Sequence, residues 1–417
     1  MYTEDEKIGF SNAAESLKKY RRAELVDDNS GKSLLDKLYV DLLPGNVVLE
    51  KCMRDNTTFL VGRKGTGKST IFLKLENEYR KRKQFLPCYV DVKTIYESSQ
   101  AQAINQPYLE EFFDEENLNK YLISRNFIRS ILKGIYEEID KQRQSIFGRV
   151  ANKVRGNGNE SIKKQISELL YKIEDNEKLK DVEIPILQQR KNKLNKESRN
   201  QEECVENSSA NINANIKKID AGVKNEFKYG DINECKDGNE TEYTNILLQV
   251  FEIKNIIDEI KSILKKMGIT KLVIMLDDVS EIEETAIKLF IDTVVAPLNN
   301  WSEEFVKFKV AFYPSRVHYG KIDPGKIDII NLDFYNLYSE FDTNKMEENA
   351  IDFTRRLLEN RFQYYVGSMD QFFDDKMTMI DVYTMFFRTS MNVPRIMGYL
   401  LAYLYQSVII YGKKITK

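Results

Sequence analysis

Histidine is almost missing from this sequence. His318 is alone, and one imidazole forms neither a metal centre nor a catalytic triad by itself. The four cysteines, Cys52, Cys88, Cys204 and Cys235, are scattered with no CxxC pair. That excludes a zinc knuckle or a disulfide framework and fits a reducing cytosol. Long hydrophobic runs are lacking too: the longest, Leu400 to Tyr411, is broken by Gln406 and Ser407 and is too short to span a bilayer. The acidic start, Met1-Tyr2-Thr3-Glu4-Asp5-Glu6-Lys7, has no apolar signal-peptide segment. Neither sign of charge dominates. Lys+Arg number 63 against 65 Asp+Glu, a net charge of -2, so no global field draws the chain onto nucleic acid or anionic membrane. The expectation is a soluble, cytoplasmic protein with no membrane partner. What is present is a globular composition, 42% hydrophobic and 31% charged over 417 residues, enough for one large domain or two to three ordinary ones.

The chain divides by pattern. Residues 1–54 read as an N-terminal helical segment, with one short helix over 33–43 stopped by Pro44-Gly45 and another over 47–53. Residues 55–141 form the first part of an α/β core. Thr57 to Val61 is β-branched and apolar, a buried strand. A helix with Ile71, Leu75 and Tyr79 on one face follows, then a strand over 85–92. A further helix over 118–141 carries Leu122, Phe127, Ile131 and Ile135. Residues 142–243 hold few aromatics and much Lys, Asn, Glu and Ser, and read as an inserted arm. Ile162, Ile166, Leu169 and Ile173 fit an amphipathic helix, and a polar helix follows Pro185 to about Glu206. The alternation from Ala210 to Tyr229 reads as a β-hairpin or bulged strand, or as an Asn-rich loop. Residues 244–340 supply the rest of the core: an amphipathic helix over 244–267 ended by Gly268, an apolar strand over 272–276, a helix over 283–298 and a strand over 308–313. Residues 341–417 are helical, with helices at 346–366, 368–387 and 393–411. The fold class is α/β: a parallel sheet, a long helical and hairpin insertion, and a C-terminal helical lid.

The chemistry starts where the first strand ends. Gly62-Arg63-Lys64-Gly65-Thr66-Gly67-Lys68-Ser69-Thr70 matches G-x-x-x-x-G-K-[ST]. Glycines let backbone N–H groups curl around phosphates, and the following helix points its positive end at them. Lys68 is expected to stand exposed in the loop and reach the β- and γ-phosphates, while the Ser69 hydroxyl binds Mg²⁺. The predicted ligand is ATP with Mg²⁺. Asp277 and Asp278 end the apolar strand, where open α/β sheets bind ligands. Asp277 is the candidate magnesium ligand and Asp278 the candidate base orienting the attacking water, with Glu281, Glu283 and Glu284 as alternatives. Arg316, in Pro314-Ser315-Arg316, is placed to stabilise phosphoryl charge or is a solvated arginine after a strand. Arg395, in Asn392-Val393-Pro394-Arg395 at a helix start, reaches the nucleotide from the lid or lies on a helix surface. The basic clusters Lys18 to Arg22 and Arg80 to Lys83 touch phosphate backbones or are solvated helix faces.

The order of these pieces resembles the AAA+/STAND superfamily of P-loop ATPases. Leu276-Asp277-Asp278-Val279-Ser280-Glu281-Ile282 and Asn392-Val393-Pro394-Arg395 resemble the origin-recognition-like ATPases. Pro314-Ser315-Arg316 is similar to the Thr-Ser-Arg sensor of STAND switches. The match is closest to bacterial ATPases with a Gly-Arg-Lys-Gly-Thr-Gly-Lys-Ser loop, some tied to antiviral defence. It covers 55–95 and 244–412. The chain departs from that pattern in carrying Asp278 where many AAA+ enzymes have Glu, and no arginine finger stands out, Arg355, Arg356 and Arg361 being candidates. Lys68 and Asp277 lie about 200 positions apart, where two helix–strand units need about 60 to 80. The excess is the arm at 142–243, a partner-binding segment or a spacer. The resemblance implies a slow ATPase acting as a nucleotide-gated switch and a homo-oligomer, with a protein partner on the arm. Two other readings stand: a DNA-binding initiator or loader, disfavoured by the sequence pI of about 5.9 and the lack of a winged-helix signature, and a nucleotide-binding scaffold without turnover.

Overall fold

The computed structural model describes residues 2–18, 33–105, 115–144, 158–174, 253–301, 304–339 and 343–416. In chain order the elements are α1 (Glu4–Lys18), α2 (Leu35–Leu38), α3 (Val47–Cys52), β1 (Thr57–Val61), α4 (Lys68–Arg80), β2 (Phe85–Asp91), α5 (Val92–Asn105), α6 (Glu115–Gln144) and α7 (Gly158–Glu174). There follow α8 (Ile253–Lys265), β3 (Lys271–Asp277), α9 (Glu284–Phe290), α10 (Ala296–Trp301), β4 (Val306–Phe312), β5 (Ile327–Asn331), α11 (Phe334–Ser339), α12 (Met346–Tyr365), α13 (Met379–Ser390) and α14 (Pro394–Ser407). Among these residues no single helix is long and apolar enough to cross a membrane.

The five strands form one all-parallel sheet in the order β2-β3-β4-β1-β5. Side chains alternate across a strand, and both faces here are covered, as a parallel sheet requires. Phe59 and Val61, Ile274 and Leu276, and Val310 and Phe312 enter one core with α5, α6, α8 and α9. Leu60, Val273, Met275 and Ala311 enter the other with α1, α3, α4 and the C-terminal helices. Lys309 is the exception, a lysine 1% exposed in the middle of β4. Its Nζ donates to Arg54 O at 2.8 Å, Asn56 O at 2.7 Å and Thr58 Oγ1 at 3.0 Å, which fixes the entry to β1.

Residues 158–174, read above as part of the arm, pack Ile162, Ile166 and Leu169 into the first core. The alternating stretch at 210–229, the polar helix after Pro185 and most of the basic run at 18–22 lie outside the described residues. In the other basic run Arg80 is tied up: it donates to Glu138 at 2.7 and 2.8 Å and to Glu76 at 3.0 Å, joining α4 to α6.

Three elements differ from the sequence reading. The helix over 283–298 carries a π turn at Ile291–Val295. Pro297 has no N–H to give the preceding turn, and Ala296 N–H reaches back to Ile291 O instead. The helix expected from 368 starts at Met379, where Thr378 caps it by accepting from Asp381 N–H. Its predecessor ends at Gly367, φ 102°. The fifth strand, β5, is an edge strand whose Asp328 and Asn331 obscure its apolar pattern.

Candidate functional site

The carboxyl ends of β1, β3 and β4 open into a cavity of about 460 Å³. The strand order decides what meets there. β4 lies between β1 and β3, so the tip after β4 stands between the glycine-rich loop that follows β1 and the acidic pair that follows β3.

The loop is built for close approach. Gly62 N–H donates to Phe312 O at 3.0 Å, and Thr66 folds back on Arg63 O through its N–H at 3.3 Å and Oγ1 at 2.8 Å. Gly65 and Gly67 have φ of 89° and 94°, a region side chains other than glycine rarely adopt. A Cβ on Gly65 would stand 2.9 Å from Arg395 Cβ and 3.1 Å from Val393 Cγ1, so the start of α14 is seated on the loop. Gly67 occupies the N-cap position of α4, and no side chain caps that helix. Its positive end opens into the cavity with Lys68, Ser69 and Thr70.

Lys68 is not exposed as expected. It is 9% exposed, and its Nζ donates to Gly62 O at 2.6 Å and Arg63 O at 3.0 Å. The Tyr313 ring lies over it, 4.6 Å from Nζ to the ring centre. Burial pushes its ammonium down to about 8 against the pull of Asp277 and Asp278.

Asp277 is 3% exposed and accepts from Tyr89 Oη at 3.3 Å and from the Asp278 N–H at 3.0 Å. Asp278 bends the chain sharply, with φ 54°. Both line the cavity, as does Glu281, whereas Glu283 and Glu284 are outside it and exposed. Glu281 accepts from Tyr313 Oη and from Lys64 Nζ at 2.9 Å. Those two donors hold its carboxyl below the usual range, and burial together with Glu281 pushes the Tyr313 phenol up.

Two arginines named in the sequence reading do not reach the cavity. Arg316 does not line the cavity. Its guanidinium donates to Ser280 O at 2.9 Å and Ile282 O at 2.8 Å, because the short helical turn Pro314–Arg316 folds it back onto the turn after β3. Arg63 also points away, pairing with Asp333 at 2.8 Å and donating to Met391 O at 3.1 Å. Gly62 and Arg63 serve through their carbonyls, and neither lines the cavity. Arg395 does line it, beside Lys64, Gly65, Thr66, Gly67, Lys68, Ser69 and Thr70.

Part of the lining belongs to no sequence motif. Tyr39, Val40 and Leu42 contribute to it, as do Phe353, Leu357 and Arg361 of α12. The segment is clamped from both sides. Arg361 donates to Leu38 O, and Arg356 donates to Asp41 O at 2.8 Å and Leu42 O at 3.0 Å. The buried Asp41 carboxylate accepts from Leu43 N at 2.9 Å, Val48 N at 3.3 Å, Leu49 N at 2.9 Å and Tyr39 Oη at 3.0 Å. The available signal was an apolar Tyr39-Val40 pair and a lone acid held between two short helices. Lys93, at the start of α5, is a further cation on the lining that no motif marked.

No protein-family model, no curated protein and no solved structure matches this chain.

Proposed function

We propose that this chain binds ATP with Mg²⁺ in the cavity, hydrolyses it slowly, and uses the difference between ATP and ADP to reposition its C-terminal helices. The observation that carries this reading is Lys68: a buried ammonium at the uncapped start of a helix, behind left-handed glycines, facing a buried carboxylate from a strand two places away. Such a cation, held only by carbonyls and a ring, is complementary to an anion that enters at a helix start. The part of the loop that lines the cavity, Lys64 to Thr70, offers its N–H groups to the phosphates, and Lys68 exchanges the Gly62 and Arg63 carbonyls for phosphate oxygens. Ser69 and Asp277 are hard oxygen donors, the set that holds magnesium alongside phosphates and water; the ion, when bound, neutralises charge on the β- and γ-phosphates. Asp278 or Glu281 orients the attacking water. Tyr39, Val40, Leu42, Phe353 and Leu357 take the base between apolar walls.

Arg395 couples the site to the rest of the molecule. It lies on the first turn of α14 against Gly65, so phosphoryl charge bears directly on the C-terminal helices, which then act as a lid. The resemblance to STAND-type switches supports self-association as the output. Titration calorimetry with ATP and ADP tests binding, and hydrogen exchange over 346–407 tests switching. Equal protection with an ATP analogue and with ADP overturns the switch, and no heat at millimolar ATP overturns the site.

A further inference from the structure

Lys68 is shielded by a chain of contacts that crosses the mouth of the glycine-rich loop. Lys64 comes from the loop, Glu281 from the turn after β3, and Tyr313 from the tip of β4. The Lys64 Nζ to Glu281 Oε1 distance is 2.9 Å, and Tyr313 Oη donates to that same oxygen. The Tyr313 backbone is fixed as well, its N–H donating to Ser280 Oγ at 2.8 Å. The ring therefore cannot drift, and it covers the Lys68 ammonium, with the centroid 4.6 Å away. The loop carbonyls hold Lys68 from one side and the ring closes another. All four side chains line the one cavity.

We propose that Lys64, Glu281 and Tyr313 form a latch across the loop that only the terminal phosphate of a nucleoside triphosphate opens, so that the latch selects triphosphate over diphosphate. The inference rests on the nucleotide reading above. The physical cause is charge exchange. A terminal phosphate competes with Glu281 for Lys64 and with the Tyr313 ring for Lys68, and it repels the Glu281 carboxylate, which Lys64 and Tyr313 keep ionised. All three changes push Glu281 away from the loop. A diphosphate brings no group to the β3 and β4 side of the loop, so the Lys64–Glu281 pair persists over it. The latch is thus a cost charged to every ligand that must reach Lys64, and it is offset only by the extra phosphoryl charge.

The test is titration calorimetry of the full chain with a non-hydrolysable ATP analogue and with ADP, both with magnesium. Wild type is compared with Tyr313→Phe and Glu281→Gln. Tyr313→Phe keeps the ring over Lys68 and changes no charge; it removes only the hydroxyl that anchors Glu281. We expect it to tighten analogue binding about tenfold or more, the worth of one hydrogen bond to a charged acceptor, and to change ADP binding less than about twofold. Glu281→Gln should tighten the analogue further and again more than ADP. Unchanged affinities in both variants overturn the latch, as does equal tightening for analogue and ADP, which would be a plain charge effect. If wild type binds and the variants keep its ratio of the two affinities, the latch alone fails. If wild type binds neither nucleotide, the nucleotide reading fails and the latch falls with it.

Discussion

Lys68→Ala separates folding from binding. Burial lowers the Lys68 ammonium from 10.5 to about 8. That is a cost of roughly 3 kcal/mol at about 1.36 kcal/mol for each tenfold step in the protonation equilibrium. Opposing it are the donations to Gly62 O and Arg63 O, about 1.5 to 3 kcal/mol each, and the Tyr313 ring contact, about 0.5 to 2 kcal/mol. Costs and gains are of the same size, and the carbonyls left behind face a cavity that water enters. The variant should therefore unfold within about 3 °C of wild type. Binding behaves differently. Two charge-assisted contacts to phosphate are lost, about 3 to 6 kcal/mol together, or about 10² to 10⁴ in Kd. Titration calorimetry with ATP and magnesium, run beside thermal unfolding, reads both numbers. ATP affinity within a few fold of wild type at unchanged Tm refutes the assignment of Lys68 to phosphate. A fall of more than about 10 °C refutes the claim that its burial is energetically balanced.

Asp277→Asn should weaken ATP binding in magnesium by about tenfold or more and tighten magnesium-free binding by removing a repelling charge, whereas Asp278→Asn should bind and fail to turn over; equal turnover by Asp278→Asn and wild type in a phosphate-release assay moves the water-orienting role to Glu281. Lys309→Met should lose about 2 to 4 kcal/mol in urea unfolding, since Arg54 O, Asn56 O and Thr58 Oγ1 lose their shared donor. Burial holds Lys309 at about 8 when folded, against 10.5, so the unfolded chain binds the extra proton and wild-type stability, taken relative to Lys309→Met, should rise from pH 8 to 10.5 and stay flat below pH 7. Replacing 175–252 by a Gly/Ser linker should leave ATP affinity intact, whereas extending the excision through 158–174 should cost about 5 to 8 kcal/mol by exposing the partners of Ile162, Ile166 and Leu169; equal Tm for the two excisions counts against that packing.

What the sequence made legible is what is contiguous along it. Thr57 to Val61 and Leu272 to Leu276 are apolar runs, and runs of that kind are central parallel strands whatever surrounds them. Gly62 to Thr70 follows one and Asp277-Asp278 ends the other, so both were placed by local pattern. Tyr313 over Lys68 was not, because that contact exists only once β4 lies between β1 and β3. The burial of Lys68 and the turning back of Arg316 have the same origin. Each depends on which carbonyls a neighbouring turn leaves open, namely Gly62 and Arg63 in one case and Ser280 and Ile282 in the other. Ile162, Ile166 and Leu169 show the converse limit. Their spacing predicted the helix, but spacing does not say what a helix packs against, and a polar neighbourhood suggested an arm where three side chains join the core.

The charge on the cavity wall leads to the last prediction. Five cations line it, Lys64, Lys68, Lys93, Arg361 and Arg395, against three carboxylates, Asp277, Asp278 and Glu281. The wall is therefore positive, but unevenly so, for the carboxylates gather at the ends of β3 and its following turn, where the terminal phosphate lies in the nucleotide reading. A free nucleoside triphosphate brings roughly four negative charges, and its magnesium complex roughly two. The wall suits the second far better, because the bare triphosphate meets Asp277 and Asp278 without a cation between them, and like charges at short range disfavour each other strongly in a partly buried site. Chelating magnesium should thus weaken ATP binding by about tenfold or more while changing the binding of AMP, which does not reach the carboxylates, by less than about twofold. Raising ionic strength cannot substitute for the metal, since screening is weakest among buried groups. ATP affinity that survives chelation unchanged would mean that Asp277 faces no phosphate, and the assignment of the β3 end to the metal would have to be abandoned.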